Sequence, residues 1–233
     1  MDIAELTPEQ RATEEAAYAR DQSALAHIQN LRFFPLVVSG GSGARLRTAS
    51  GRELIDLSAS WTASAFGHGN PTIAEAVHRA ALTGAGSSAL SAAVTGTTEL
   101  AERLVNTVPV KHPERAYLGL SGSDANTAAV EAARRATGRP TIVSFSGSYH
   151  GGFGTSRDVS GITESPGPGS LVFDYPLTEA ALSELRPQLT EALESCTVAA
   201  VITEAIQCDG GVRVPDAGFL PMLRELCDAT DTL

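Results

Sequence analysis

Lysine is almost missing from this chain: Lys111 is the only one in 233 residues. Any chemistry that needs a lysine amine therefore has a single candidate here. That candidate sits in a loop just before the apolar run Ala116 to Leu120. Arginine supplies nearly all the positive charge, and 27 acidic residues outweigh 17 basic ones to give a net charge of −10. This balance argues against nucleic acid or an anionic membrane surface as a partner. Cysteine is also sparse. Cys196, Cys208 and Cys227 form no CxxC pair and no even-numbered framework, so they read as reduced thiols in a cytoplasmic protein, with disulfide or zinc as poor second choices. No metal site is expected. No apolar run is long enough to span a bilayer, and the opening MDIAELTPEQRATEEAAYARD is acidic and polar, unlike a signal peptide. Aromatics make up 5% of the chain and tryptophan occurs once, as Trp61. What remains, 42% hydrophobic residues, suits a soluble globular protein of one large domain, or one and a part.

The chain divides into an N-terminal segment, residues 1–65, and a longer α/β portion, residues 66–233. Thr7 to about Asn30 reads as a helix with Pro8 in its first turn, solvated or packed against a subunit. Short strands follow at Leu36–Val38, Ala44–Leu46 and Glu53–Leu57. They are divided by Ser39–Gly43 and Ala49–Arg52, both turn-like. Gly40-Gly41-Ser42-Gly43 looks like a nucleotide loop, but strand rather than helix follows it, so it reads as a hairpin turn. Ser58 to Asn70 carries Trp61, which is either core or pocket lining, and His68, a turn hydrogen-bonder between glycines. Asn70-Pro71 opens a helix to about Leu82. A small-residue stretch, TGAGSSALSAAVTG, then suits a tight subunit contact and leads to a helix at about Thr98 to Val105.

From Ala116 the pattern alternates. Strands are expected at Ala116–Leu120, Pro140–Phe145, Leu171–Phe173 and Val198–Thr203, and helices at Ala125–Ala136, Leu177–Leu193 and Phe219–Asp228. Uniformly apolar strands between helices imply a parallel sheet covered on both faces, with ligands outside the carboxyl ends of the strands. Three polar clusters fall there: Ser121-Gly122-Ser123, Tyr149-His150, and Glu204 to Asp209. A strand that turns through glycine and small hydroxyls into a helix makes an anion site, because the first-turn N–H groups point outward and the helix dipole favours negative charge. The alternative is an ordinary N-cap, with Ser123 or Asp124 satisfying its own helix. Tyr149 offers a ring face for stacking, or is a half-buried tyrosine; His150 is a loop histidine. Glu204 ends an apolar strand, where a carboxylate needs a partner. Asp209 before Gly-Gly is by default a turn residue. Together the clusters could hold a flat phosphorylated cofactor.

Asp56-Leu57, Gly67-His-Gly-Asn-Pro71, Ser121-Gly-Ser-Asp-Ala-Asn126, Thr137-Gly-Arg139, Tyr149-His-Gly151 and Glu204-Ala-Ile-Gln-Cys-Asp-Gly-Gly211 keep the order and approximate spacing of a known family. From about Phe34 to Leu233 the sequence resembles the class III aminotransferases of fold-type I, which depend on pyridoxal 5′-phosphate (PLP). The group includes the 4-aminobutyrate and ornithine aminotransferases. The resemblance implies a mostly parallel sheet flanked by helices, and a homodimer with its site at the interface. It implies that Ser121, Gly122 and Ser123 hold the cofactor phosphate, that Tyr149 stacks on the pyridine ring with His150 beside it, and that Glu204 completes the surround. Glu204 and Asp209 would line the substrate side, where the family uses an acidic residue to pair with or release a substrate-gating arginine, and Trp61 would lie at the substrate mouth. Ala205 replaces a usual proline, Cys208 a common glycine, and Gly152 an arginine frequent in 4-aminobutyrate aminotransferases. The wording around Ser121 and Tyr149 is similar to a branch that includes amino-acid 2-epimerases.

The resemblance also implies a pyridine-pairing aspartate and a Schiff-base lysine later than Leu233, and Lys111 is in the wrong place to serve. The sequence thus reads as about the first half of an enzyme transferring an amino group from an amino acid or amine to a 2-oxo acid. Two alternatives are a PLP-dependent racemase or 2-epimerase, and a non-catalytic protein binding a phosphorylated ligand or a partner chain.

Overall fold

The structure is a computed structural model and describes residues 6–27, 32–61, 63–83, 91–108, 115–163 and 165–233. Lys111 and half of the small-residue stretch after Leu82, residues 84–90, lie outside the described residues. Two compact units divide at Val94 and Thr95, and the division after residue 65 expected from sequence falls inside the first.

The first unit opens with α1, Pro8–Ala24, started by a capping box in which Thr7 and Gln10 satisfy each other's backbone N–H. The helix stops at Ala24, short of the expected Asn30, where Leu25 turns extended. α1 is more than a solvated helix. Its Glu14 is buried, accepts from Ser50 Oγ at 2.7 Å and pairs with Arg52 at 3.3 Å, and these donors hold its carboxyl below the usual range. Ser50 and Arg52 belong to the turn of an antiparallel meander, β1 (Val38–Ser42), β2 (Arg45–Thr48) and β3 (Glu53–Ile55). The expected turn at Ser39–Gly43 is mostly strand: β1 runs through Gly40 and Gly41, and the reversal is confined to Gly43-Ala44. Close packing explains the glycines, because a Cβ at Gly41 would stand 2.7 Å from the Arg45 carbonyl oxygen and 3.0 Å from His68 Cβ. α2, Pro71–Leu82, begins as expected, with Asn70 Oδ1 accepting from the N–H groups of Thr72 and Ile73.

The second unit contains α3 (Thr95–Thr107), α4 (Gly122–Thr137), β4 (Thr141–Phe145), α5 (Gly154–Asp158), β5 (Ser170–Phe173), α6 (Glu179–Glu194), β6 (Val198–Val201) and α7 (Phe219–Thr230). The three strands form a parallel sheet in the order β5-β4-β6. β4, the central strand, is buried on both faces. Val143 and Phe145 pack with Leu185, Leu189 and Leu193 of α6 and with Phe219, Met222 and Leu223 of α7, while Ile142 packs with Val130 and Ala133 of α4. The rings of Phe145 and Phe219 meet edge-on at 5.0 Å. Helices thus cover both faces, which accounts for strands that read as continuous apolar runs.

One expected strand is absent. Ala116–Leu120 is irregular, pairs with no strand among the described residues, and leaves Leu120 fully exposed. An apolar run marks a strand only where a neighbouring strand takes its backbone groups, and none does so here. Arg139, just past the Gly138 C-cap of α4, reaches across to the end of α7. Its Nη1 donates to the carbonyl oxygens of Val198, Thr230 and Asp231 at 3.1, 3.3 and 3.0 Å. Beyond α7 the chain runs beside β6, with Leu233 N–H donating to Ala199 O and Leu233 O accepting from Val201 N–H.

Candidate functional site

The first turn of α4 is built around Ser121. Its extended backbone places Oγ to accept from Asp124 N–H at 3.1 Å, and its carbonyl accepts from Ala125 N–H at 3.0 Å. The ordinary N-cap read from the sequence is present, although the cap is Ser121 rather than Ser123 or Asp124. Ser121 is the cap, while the N–H groups of Gly122 and Ser123 belong to the turn that has no intrahelical acceptors. Asp124, a carboxylate in that same turn, folds back: Oδ2 accepts from Leu120 N–H at 2.8 Å and Oδ1 from the Tyr117 hydroxyl at 3.2 Å. Its charge pushes the Tyr117 phenol above the usual range.

Ser123 Oγ accepts from Gly152 N–H at 3.0 Å, which leaves the serine proton free to donate. One turn along α4, Asn126 Nδ2 donates to His150 O at 2.7 Å, and Thr127 Oγ1 accepts from Ser156 N–H at 3.3 Å. The 149–152 loop is thus bonded to the face of α4 that carries Ser123 and Asn126. On its other side, Glu204 Oε1 accepts from Tyr149 N–H at 2.8 Å and Oε2 from Cys208 N–H at 3.2 Å. The carboxylate demanded by the end of an apolar strand is satisfied by two backbone donors, and it ties the loop after β6 to the loop after β4. Tyr175 adds a hydroxyl bond to Glu204 O at 3.0 Å. Beneath the loop, Ser160 Oγ is fully buried, accepts from His150 N–H and donates to Ser156 O, both at 2.9 Å.

His150 is 5% exposed, and its Nε2 has no hydrogen-bond partner among the described residues. Burial pushes the imidazole below its ordinary pKa, with the Glu204 charge acting weakly the other way, so the ring is neutral at pH 7. Tyr149 is 47% exposed, leaving its ring available for contact. Asp209 is exposed in the turn closed by the bond from Gly211 N–H to Cys208 O at 3.0 Å. The hydrogen bonds therefore join Ser123, Tyr149, His150 and Glu204 into one assembly in the second unit, with Ser121 and Gly122 adjoining. Trp61 belongs to the first unit, where it is 65% exposed and its ring tilts against Phe33 at 5.3 Å.

Three contributors escape the sequence reading. Asn126 could have been found from its spacing of three residues from Ser123, which puts both on one face of α4. Ser160 has no local signal. Gln207 is fully buried, with Nε2 donating to Ser146 O at 2.9 Å and its backbone exchanging bonds with Arg213, and nothing local in the sequence sets it apart from the acidic residues on either side.

Known proteins are similar to this chain in sequence and in fold. The family described as aminotransferase class-III matches residues 27–233. Glutamate-1-semialdehyde 2,1-aminomutase of Nitratidesulfovibrio vulgaris is 34% identical over 206 residues, covering 83% of this chain and 46% of the relative. The same-named protein of Methanopyrus kandleri is 33% identical over 215 residues, covering 86% and 47%. Among solved structures, taurine:2-oxoglutarate aminotransferase from Bifidobacterium kashiwanohense, in complex with PLP and glutamate, superposes with a TM-score of 0.83 at 25% identity, over 99% of this chain and 55% of that one. A β-phenylalanine aminotransferase from Variovorax paradoxus gives 0.77 at 30% identity, over 97% and 50%. The chain spans about half the length of the curated relatives it matches. The fold is that of the fold-type I PLP transferases, and the chain belongs to the class III aminotransferase family.

Proposed function

We propose that the protein carrying this chain is a PLP-dependent aminotransferase that moves an amino group from an amino acid or amine to a 2-oxo acid. The observation that carries the reading is the bond from Gly152 N–H to Ser123 Oγ, which locks the Tyr149-His150 loop to an open helix N-terminus. The residues present suit the cofactor. Gly122 and Ser123 offer backbone N–H groups, and the Ser123 hydroxyl keeps a proton for a phosphate oxygen. Tyr149, held through its N–H by Glu204, presents its ring to a planar group. His150 stays neutral beside it and adds no competing positive charge. When bound, PLP supplies the electron sink that stabilises negative charge at the substrate Cα. The residues here bind, orient and shield; Lys111 is the only lysine in the 233 residues, so the assay belongs on the whole protein.

Trp61 at the substrate mouth, Asp209 on the substrate side, a homodimer and a cytoplasmic location are parts of the same reading. It is supported by family membership and, among the described residues, by the lack of any helix long and apolar enough to cross a membrane. The 33–35% identity to proteins named aminomutases favours one second reading, in which the amino group is moved within a single substrate. Purified whole protein should take up PLP, seen by its absorbance, and Ser123→Ala should weaken that uptake about tenfold, the equivalent of one good hydrogen bond. Product formation that requires a 2-oxo acid supports the transferase, and product formation without one supports the aminomutase. Failure of the whole protein to bind PLP would overturn both.

A further inference from the structure

Residues Ala59, Ser60 and Trp61 have φ values of 45°, 51° and 53°. Non-glycine residues visit this left-handed region singly, so a run of three does not hold itself in place. Its entry is fixed by Asp56, whose Oδ1 accepts from Ser58 N–H at 3.0 Å, Ser58 Oγ at 3.0 Å and Ala59 N–H at 2.9 Å. Its exit is closed by Ala63 N–H to Ser60 O at 3.1 Å and Ser64 N–H to Ala59 O at 3.0 Å. The other Asp56 oxygen is bonded to His68 Nε2 at 2.7 Å, with the Asp56 side chain only 5% exposed. His68 is itself fixed to the β1–β2 turn, since its backbone N–H and C=O exchange bonds with Gly43 at 2.9 Å each. His68 and the surrounding donors hold the Asp56 carboxyl down at about 2, so it is ionised and stays an acceptor.

A continuous line of contacts therefore runs from the meander through His68 and Asp56 to the turn that ends at Trp61. We propose that Asp56 and His68 are positioning residues that hold the left-handed Ala59–Trp61 turn and so set how Trp61 meets substrate. The substrate half of this statement rests on the function proposed above; the positional half does not.

The test uses the whole protein, with the contribution of Trp61 isolated by subtracting the signal of Trp61→Phe. In His68→Ala the Trp61 near-ultraviolet circular dichroism should collapse as the ring leaves Phe33. Acrylamide quenching should rise up to about 1.5-fold, the ratio of full exposure to the present 65%. His68→Gln keeps a donor for Asp56 and should restore most of the signal. For turnover, His68→Ala should raise the KM for the amino donor roughly threefold or more while kcat holds, the mark of lost binding rather than lost chemistry. Asp56→Asn, which removes the charge with little change of shape, serves as the second variant if His68→Ala fails to fold, and the same changes are expected of it. An unchanged Trp61 signal in the folded variants overturns the positioning role whatever the activity. A moved signal with an unchanged KM overturns the substrate half. A wild-type protein without transaminase activity, in which the Trp61 signal still follows His68, refutes the proposed function and leaves the positioning role standing.

Discussion

Replacing Gly151 by alanine tests whether the loop and the helix cradle are fitted to each other as closely as the structure has them. A Cβ at Gly151 would meet Ser156 Oγ directly, and would lie 2.7 Å from Ser156 Cβ and 2.8 Å from Ser123 Oγ. Ordinary contact between such atoms is about 3.5–4.0 Å, so the loop must retreat by roughly 1 Å. Overpacking of this kind costs about 1–3 kcal/mol. The retreat also stretches the bond from Gly152 N–H to Ser123 Oγ, 3.0 Å in the structure, and losing it adds about 1 kcal/mol. Gly151→Ala should therefore destabilise by about 2–4 kcal/mol and weaken PLP uptake together. Ser156→Gly alone loses the bond from Ser156 Oγ to Phe153 O at 2.8 Å and places glycine in a helix, for about 1–2 kcal/mol. If the collision with Ser156 dominates, the double variant should cost about 1–2 kcal/mol less than the two singles combined, because glycine at 156 makes room. Relief stays incomplete, since the approach to Ser123 remains. Denaturant midpoints and PLP absorbance titrations on the four proteins complete the cycle. Costs that add within about 0.5 kcal/mol would refute the packing argument, as would a Gly151→Ala protein as stable as the parent.

Two further outcomes follow from single groups. Because burial lowers the His150 pKa from its usual 6.5, the unfolded chain binds the proton more readily. This residue's contribution to stability is therefore complete above pH 6.5 and is lost as pH falls below it toward the folded value. His150→Gln should flatten the slope of stability between pH 7 and 5, measured by denaturant midpoint, and an unchanged slope would sink the assignment. Arg139→Ala should cost about 1.5–3 kcal/mol by leaving the carbonyl oxygens at the end of α7 without their charged donor, and should speed amide exchange at Thr232 and Leu233 first. Uniform exchange across α7 would place the role of Arg139 elsewhere.

Local chemistry made some of this structure readable from the sequence alone. Asn70-Pro71 caps and starts α2, the helix expected over Ala125–Ala136 lies within α4, and the apolar runs at Thr141–Phe145 and Val198–Val201 become the core of a parallel sheet. The cap is settled within a few residues of itself, while the two strands find partners in each other. Ala116–Leu120 carries the same apolar signal but takes no strand partner, because pairing depends on a neighbour rather than on the segment. The glycines of β1 read as a turn because part of their true cause, the packing of His68 against Gly41, is distant in sequence.

The candidate site divides along the same line, and the division says what kind of object it is. Residue types that could serve a ligand, such as the Ser-Gly-Ser turn, the Tyr149 ring and the Glu204 carboxylate, stand out in the sequence because each is costly or idle without a partner. Residues chosen for holding those groups still did not stand out. Ser160, Asn126 and Gln207 are ordinary polar side chains until the fold buries or aligns them against a backbone donor or acceptor in another loop. Glu204 crosses from one class to the other: the sequence marks it as a carboxylate facing a ligand, while the structure occupies both of its oxygens with the N–H groups of Tyr149 and Cys208. A carboxylate so engaged controls a ring's position before it controls a substrate's charge. Glu204→Gln leaves a single acceptor oxygen where two N–H groups need one each, so it should loosen either Tyr149 or the Cys208 turn and weaken PLP uptake before altering the choice of amino donor. A variant whose donor preference changes while PLP affinity stays at the parent value would show that the carboxylate addresses substrate directly.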